Sequence, residues 1–171
     1  MEAEDLIINP RKIQEEIEVN PKKIDEFCYL LADIYAKRMK TKSKRKILTL
    51  ERLMQKGTDI LVALEWLAIE KKISMDVNNL KDLMKLEVEM PKNILGEICS
   101  LVAKSFKLTV ALKDDIIRFK ILGILGDSIR ILIGIRFNLY RGEEVNTDII
   151  KYELNGLKKE LEKIIKCDVS T

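Results

Sequence analysis

The densest charged segment of the chain is residues 37–46, in which seven of ten residues are basic and none is acidic. Such a segment can neutralise several phosphates of a nucleic-acid backbone, and that binding would depend strongly on salt. The alternative is a solvated helix end, because the helix dipole favours cations at a C-terminus. No aromatic residue lies in the segment to stack on bases, so only backbone charge would be recognised. The predicted nucleic-acid contacts are Lys37, Arg38, Lys40, Lys42, Lys44, Arg45 and Lys46.

Acidic residues within apolar stretches are the candidates for metal binding or acid–base chemistry. Asp59 and Asp127 each lie in such a stretch, and Asp114–Asp115 form an adjacent pair. A buried carboxylate has a raised pKa or binds a metal when nothing else compensates its charge. Lys56 and Arg130 lie three residues from Asp59 and Asp127, which favours ordinary ion pairs on one helix face. We therefore predict no catalytic residue and no metal ligand, and a metal-dependent all-α hydrolase is the least favoured interpretation.

The chain contains no histidine, which excludes several kinds of active site. Ser-His-Asp and Cys-His centres, HExxH zinc sites and di-iron bundles with ExxH ligands all need an imidazole. All-α nucleotide pyrophosphohydrolases hold magnesium with ExxE and ExxD motifs on adjacent helices. Here the only such spacings are Glu2/Asp5 and Glu15/Glu18, both at the N-terminal edge. We predict no cofactor.

Composition and cysteine content favour a globular protein of the cytoplasm. The chain has 171 residues, 47% of them apolar and 35% charged, with a net charge of +3. Cys28, Cys99 and Cys167 are odd in number and include no CxxC pair, which favours reduced thiols. The N-terminus is acidic and does not resemble a signal peptide. The most apolar stretch, 116–140, carries five charges, so we predict a buried helix and no membrane association. Abundant Lys, Glu and Ile with two glutamines is typical of thermophilic proteins.

Apolar residues recur every three to four positions along most of the chain, and no stretch shows sustained strand alternation. This pattern predicts an all-α protein: a compact helical bundle of about seven helices, two of them minor. Asn-Pro pairs at 9–10 and 20–21 are expected to cap the first two helices. The predicted helices are 10–18, 21 to the low forties, 46–71, 77–88, 91 or 93 to 112, 114 or 115 to 140, and 147–166.

Two parts of the chain resemble each other at a spacing near 71 residues. Residues 24–32 align with 95–103, including a shared glutamate, cysteine, leucine and alanine, and after a small gap 57–60 aligns with 126–129. We predict one domain over 1–171, formed by an internal duplication of a three-helix unit with halves 21–90 and 91–167. Cys28 and Cys99 then fill matched core positions.

Apolar helices are plentiful and groups suited to acid–base chemistry are scarce. We therefore predict a non-enzymatic interaction or assembly protein, whose partner is a second copy or another subunit. Binding of the nucleic-acid backbone through segment 37–46 is the alternative.

Trp66 is expected to be buried. Gly123 and Gly126 are expected to let a neighbouring helix approach closely.

Overall fold

The computed structural model describes residues 1–169, and that part of the chain folds as a bundle of helices without a β-strand. This confirms the predicted all-α class. Short 3-10 turns occur at Pro21–Lys23 and Leu80–Met84, and a π-helical turn covers Ile165–Val169. The helices are α1 (Asp5–Ile8), α2 (Pro10–Val19), α3 (Ile24–Lys40), α4 (Lys44–Ile69), α5 (Ile94–Ala111), α6 (Asp115–Tyr140) and α7 (Thr147–Ile164).

Four helices, α3 to α6, form the centre of the bundle, and each packs against two of the others. Asp25 at the start of α3 bonds to Lys107 near the end of α5, so these two helices are antiparallel. Arg118 at the start of α6 bonds to the carbonyl of Ile69 at the end of α4, so this pair is antiparallel as well. Helix α5 is buried over most of its surface, and its less buried residues Ile94, Glu97, Ser100 and Lys104 follow one another at helical spacing along one stripe. Helices α1 and α2 cover α4, and α7 covers α5 and α6.

Helix starts were predicted well where a side chain caps the backbone. Asn93 accepts from the amide of Gly96, Asp114 from the amides of Ile116 and Ile117, and Asn146 from Ile149. Asn9 and Asn20 precede Pro10 and Pro21 but make no side-chain cap, so that part of the prediction is wrong. A proline at the first helical position has no N–H group, so one backbone donor fewer needs a capping partner.

The predicted helix at 77–88 is also wrong, because only the 3-10 turn Leu80–Met84 forms there. Bonds to distant helices hold the rest of this segment in place. The amide of Met75 donates to the Val110 carbonyl, and the amide of Glu87 donates to Asp25. These contacts use backbone groups that a helix would pair within itself, so tertiary structure overrides local propensity.

Helices α4 and α6 each have 26 residues and start 71 positions apart. The second residue after each helix has a positive φ: Lys71 at +57° and Gly142 at +70°. Bonds of 2.8 Å, from Lys72 to the Leu67 carbonyl and from Glu143 to that of Asn138, close both ends. Because the two helices have equal lengths, they superimpose without the gap that the sequence alignment introduced. Gly57 therefore corresponds in position to Ser128 and not to Gly126. The first half lacks a third α-helix to match α7, and the duplication itself stays a prediction.

Within residues 1–169, no helix combines the length and the apolar character needed to cross a bilayer.

Candidate functional site

The predicted basic segment forms the end of α3, the connection at 41–43 and the first turn of α4. Two of its seven cations already have partners within the fold. Lys37 pairs with Asp33 one turn earlier, at 2.9 Å. Arg38 is half-buried, pairs with Glu51 at 3.2 Å and donates at 2.9 Å to the carbonyl of Leu139. Arg38 therefore serves the structure and is poorly placed to bind a polyanion, whereas Lys37 is exposed and holds only a surface ion pair.

The other five cations of the segment are exposed, and none has an acidic partner within 4.0 Å in the described part of the chain. We call them the cationic loop: Lys40, Lys42, Lys44, Arg45 and Lys46. The bond from Arg38 to Leu139 brings the end of α6 to this place, including Tyr140, which is 71% exposed. Tyr140 thus lies at the same end of the bundle as the cationic loop, although no aromatic residue lies within the segment. Two exposed acids, Glu143 and Glu144, follow Tyr140 and reduce the local positive charge.

The acids in apolar stretches are exposed and do not converge. Asp127 pairs with Arg130 at 2.6 Å, as predicted. Asp59 is exposed and has no ion pair in the described residues, so the expected pairing with Lys56 is wrong. Asp115 pairs with Lys71 across the ends of α4 and α6. Asp115 and Asp127 are twelve residues apart on one helix, roughly 18 Å. No three Asp, Glu or Cys side chains of residues 1–169 are grouped as a metal site requires.

A buried ion pair, which the sequence did not reveal, joins α3 to α5. The Lys107 ammonium donates to Oδ2 of Asp25 at 2.9 Å, and the two side chains are 2% and 0% exposed. The amide of Glu87 also donates to this oxygen, at 3.0 Å, and the ammonium reaches the carbonyl of Lys85 at 3.4 Å. Asp25 and Lys107 thus each bond to the backbone of the connection between α4 and α5, and they hold it against the bundle. Only a weak sequence signal points to this pair: Lys104 and Lys107 are the only charged residues between Glu97 and Lys113.

A cavity of about 480 Å³ lies over this pair, with Lys107 in its wall. Its other side chains are mostly polar, among them Asp82, Asn78 and Lys22. Oδ1 of Asp25 is buried and has no hydrogen-bond partner. The Lys107 nitrogen already donates to Asp25 and to the Lys85 carbonyl, so both contacts engage it within the fold. The arrangement suits a structural role.

Cys28 and Cys99 are fully buried, as predicted for core residues. Burial raises the pKa of Cys99 to about 12. Burial, with the nearby Cys99 and Asp25, also raises the pKa of Cys28 well above its ordinary value. Both thiols stay protonated near neutral pH and are poor nucleophiles.

An apolar surface that sequence reasoning missed lies where α4 ends and α6 begins. Trp66 was expected to be buried but is 58% exposed, and Phe119 and Ile116 are 65% and 72% exposed. Ile69 is exposed beside them. We call Trp66, Ile69, Ile116 and Phe119 the apolar end. The bond from Arg118 to the Ile69 carbonyl and the ion pair of Lys71 with Asp115 hold its two helices together.

Comparison of the chain with protein-family models, with curated proteins and with solved structures gives no match.

Proposed function

We propose that this chain is a non-enzymatic interaction and assembly protein, which associates through the apolar end with a second copy of itself. The observation that carries the proposal is that the only tryptophan, Trp66, is exposed at the end of α4, where α6 begins with the exposed Ile116 and Phe119. Exposed aromatic and aliphatic side chains grouped in one place are typical of protein–protein interfaces. Tryptophan in particular is enriched among the residues that contribute most to binding.

The charges beside the apolar end favour a second copy as the partner. A twofold contact brings the same surface together from both sides, so apolar groups meet apolar groups. Lys71 and Asp115 at its edge neutralise each other within one chain. Two copies can therefore approach without like charges facing each other, and the polar edge matches the usual rim of an interface.

Light scattering after size-exclusion chromatography tests the proposal. We expect a dimer for the unmodified chain and a monomer for Trp66→Glu, because a carboxylate in the contact would be desolvated without a partner. The matched control is Tyr152→Glu, at an aromatic position on α7 that is even more exposed than Trp66, and this variant should remain a dimer. A monomeric unmodified chain, or a Trp66→Glu variant that is still a dimer, would contradict self-association through this surface.

Binding of a nucleic-acid backbone is the second candidate, and the five unpaired cations of the cationic loop favour it. Five phosphate contacts predict that log K falls against log salt with a slope of roughly −4.5 on duplex DNA. Replacement of Lys42, Lys44, Arg45 and Lys46 by glutamate should abolish binding measured by fluorescence anisotropy. Glutamate at Lys151, Lys159 and Lys163, exposed on α7, is the control and should leave binding unchanged. No binding of DNA or RNA at low salt would end this candidate.

A further inference from the structure

A groove of about 730 Å³ runs between α5 and α7 and shares no lining residue with either surface discussed above. Its volume lies in the range of small-molecule sites. Apolar and charged side chains both line it. Its apolar part includes the half-buried Met84 and Met90 and the buried Leu101 and Leu161. Methionine adapts its shape easily, so this part can accommodate a flexible hydrocarbon chain.

The polar part of the groove carries four lysines and two glutamates. The lysines are Lys92, Lys104, Lys151 and Lys158, and the glutamates are Glu97 and Glu162. Glu97 is already paired with Lys158 at 3.0 Å, so it neutralises little of the remaining charge. The N-terminus of α5, an 18-residue helix, also lies at the groove and adds the positive end of its dipole. The groove therefore has a surplus of positive charge.

Lys104 is the residue that points to a ligand. It is half-buried in the groove wall, and no ion pair or hydrogen bond of its ammonium occurs among residues 1–169. Its pKa is lowered, first by burial and then by the positive charges of Lys158 and Lys107. A partly desolvated cation beside other cations is unfavourable, and a bound anion would relieve it.

We propose that the groove between α5 and α7 binds an anionic amphiphile, with its head group on Lys104 and its hydrocarbon chain along Met84, Met90 and Leu161. A carboxylate or a phosphate ester on an acyl chain has this chemistry. Such a ligand satisfies the charged and the apolar parts of the groove together, which neither a free anion nor a neutral hydrocarbon does.

Calorimetric titration with dodecanoate, kept below its micelle concentration, tests the proposal. We expect saturable binding at one site, and at least tenfold weaker binding for Lys104→Gln. This variant should fold, because it removes a charge that has no partner. Lys159→Gln is the matched control: Lys159 is exposed on α7, does not line the groove, and should bind as the unmodified chain does.

Three further probes show which part of the ligand is recognised. Inorganic phosphate and neutral dodecanol should each bind far more weakly than dodecanoate. Flotation with phosphatidylglycerol vesicles distinguishes the source of the amphiphile. If the chain floats with the vesicles and Lys104→Gln does not, the ligand is a membrane lipid. If the chain does not float, the ligand is a free amphiphile. The proposal is overturned if dodecanoate does not bind, if Lys104→Gln binds it equally, or if dodecanol binds as tightly.

Discussion

Arg38 and Arg118 bond to carbonyl oxygens that lie 71 residues apart, those of Leu139 and Ala68. Each acceptor is in the last turn of a 26-residue helix, and each donor comes from the other half of the chain. Each of these carbonyls also accepts a backbone N–H just beyond its helix, that of Lys71 at Ala68 and that of Gly142 at Leu139, so each arginine adds a charge-assisted bond at a helix end. The two halves are thus tied together at both ends of the bundle.

Arg118→Met should destabilise the fold by about 2–3 kcal/mol. Arg118 is buried and donates to the carbonyls of Ala68 and Ile69, and hydrogen bonds from a charged donor contribute about 1.5–3 kcal/mol. Urea unfolding measures the change. Arg130→Met is the control, because its pair with Asp127 is exposed and should contribute little. Equal losses for the two variants would refute the role given to Arg118.

Lys107→Met should cost about 3–5 kcal/mol, because it leaves the Asp25 carboxylate buried without a counter-charge. The double variant with Asp25→Leu removes both charges and should lose clearly less than the two single variants together. A double-mutant cycle in urea measures this coupling. The exposed pair of Lys37 and Asp33 serves as the control cycle, with little coupling expected. Additive losses at Asp25 and Lys107 would mean that the pair does not act as a unit.

The positive φ values at the two helix ends predict opposite effects of substitution. In an Asp115→Asn background, which already lacks the ion pair of Lys71, Lys71→Gly should stabilise the protein by about 0.5–1 kcal/mol, because glycine adopts a φ of +57° without steric strain. Gly142→Ala, at a φ of +70°, should destabilise it by about 1 kcal/mol. Nothing lies within 4 Å of a Cβ built at Gly142, so the backbone alone decides the effect. Thermal unfolding measures both, and changes of the same sign would contradict the explanation.

Stability should fall as the pH rises above about 9, the ordinary pKa of a cysteine thiol. The unfolded chain loses these protons near that pH, whereas the buried Cys99 keeps its proton up to about pH 12. The folded state then binds more protons than the unfolded state, so the free energy of unfolding decreases with pH. Cys28→Ala with Cys99→Ala should make urea unfolding less dependent on pH between 8 and 10. Cys167→Ala, at an exposed position, should not. An unchanged dependence in the double variant would refute this origin.

Local sequence signals were sufficient for most helices and insufficient for the sites. Asn93 and Asp114 mark their helix starts correctly because a cap involves only residues two or three positions away. The segment at 77–88 is misassigned because its structure depends on the bond from Glu87 to Asp25, far away in the chain, and because Met75 just before it bonds to Val110. The pairing of Asp25 with Lys107 spans 82 residues and has no local pattern.

Exposure of single side chains was the other property that sequence reasoning did not supply. Trp66 is expected to be buried because of its type, yet it is exposed. It lies two positions from the buried Leu64 and Ala68, which places it on the opposite side of α4 from them. The apolar end forms because α4 and α6 meet there, and no local sequence pattern encodes that contact.

Fluorescence of Trp66 as a function of protein concentration tests the proposed self-association most directly, because the chain has no other tryptophan. At high concentration the indole should be buried between two copies and emit at shorter wavelength. On dilution its emission should move to that of an indole in water, in step with dissociation. Water-like emission that does not change at any concentration would contradict association through the apolar end.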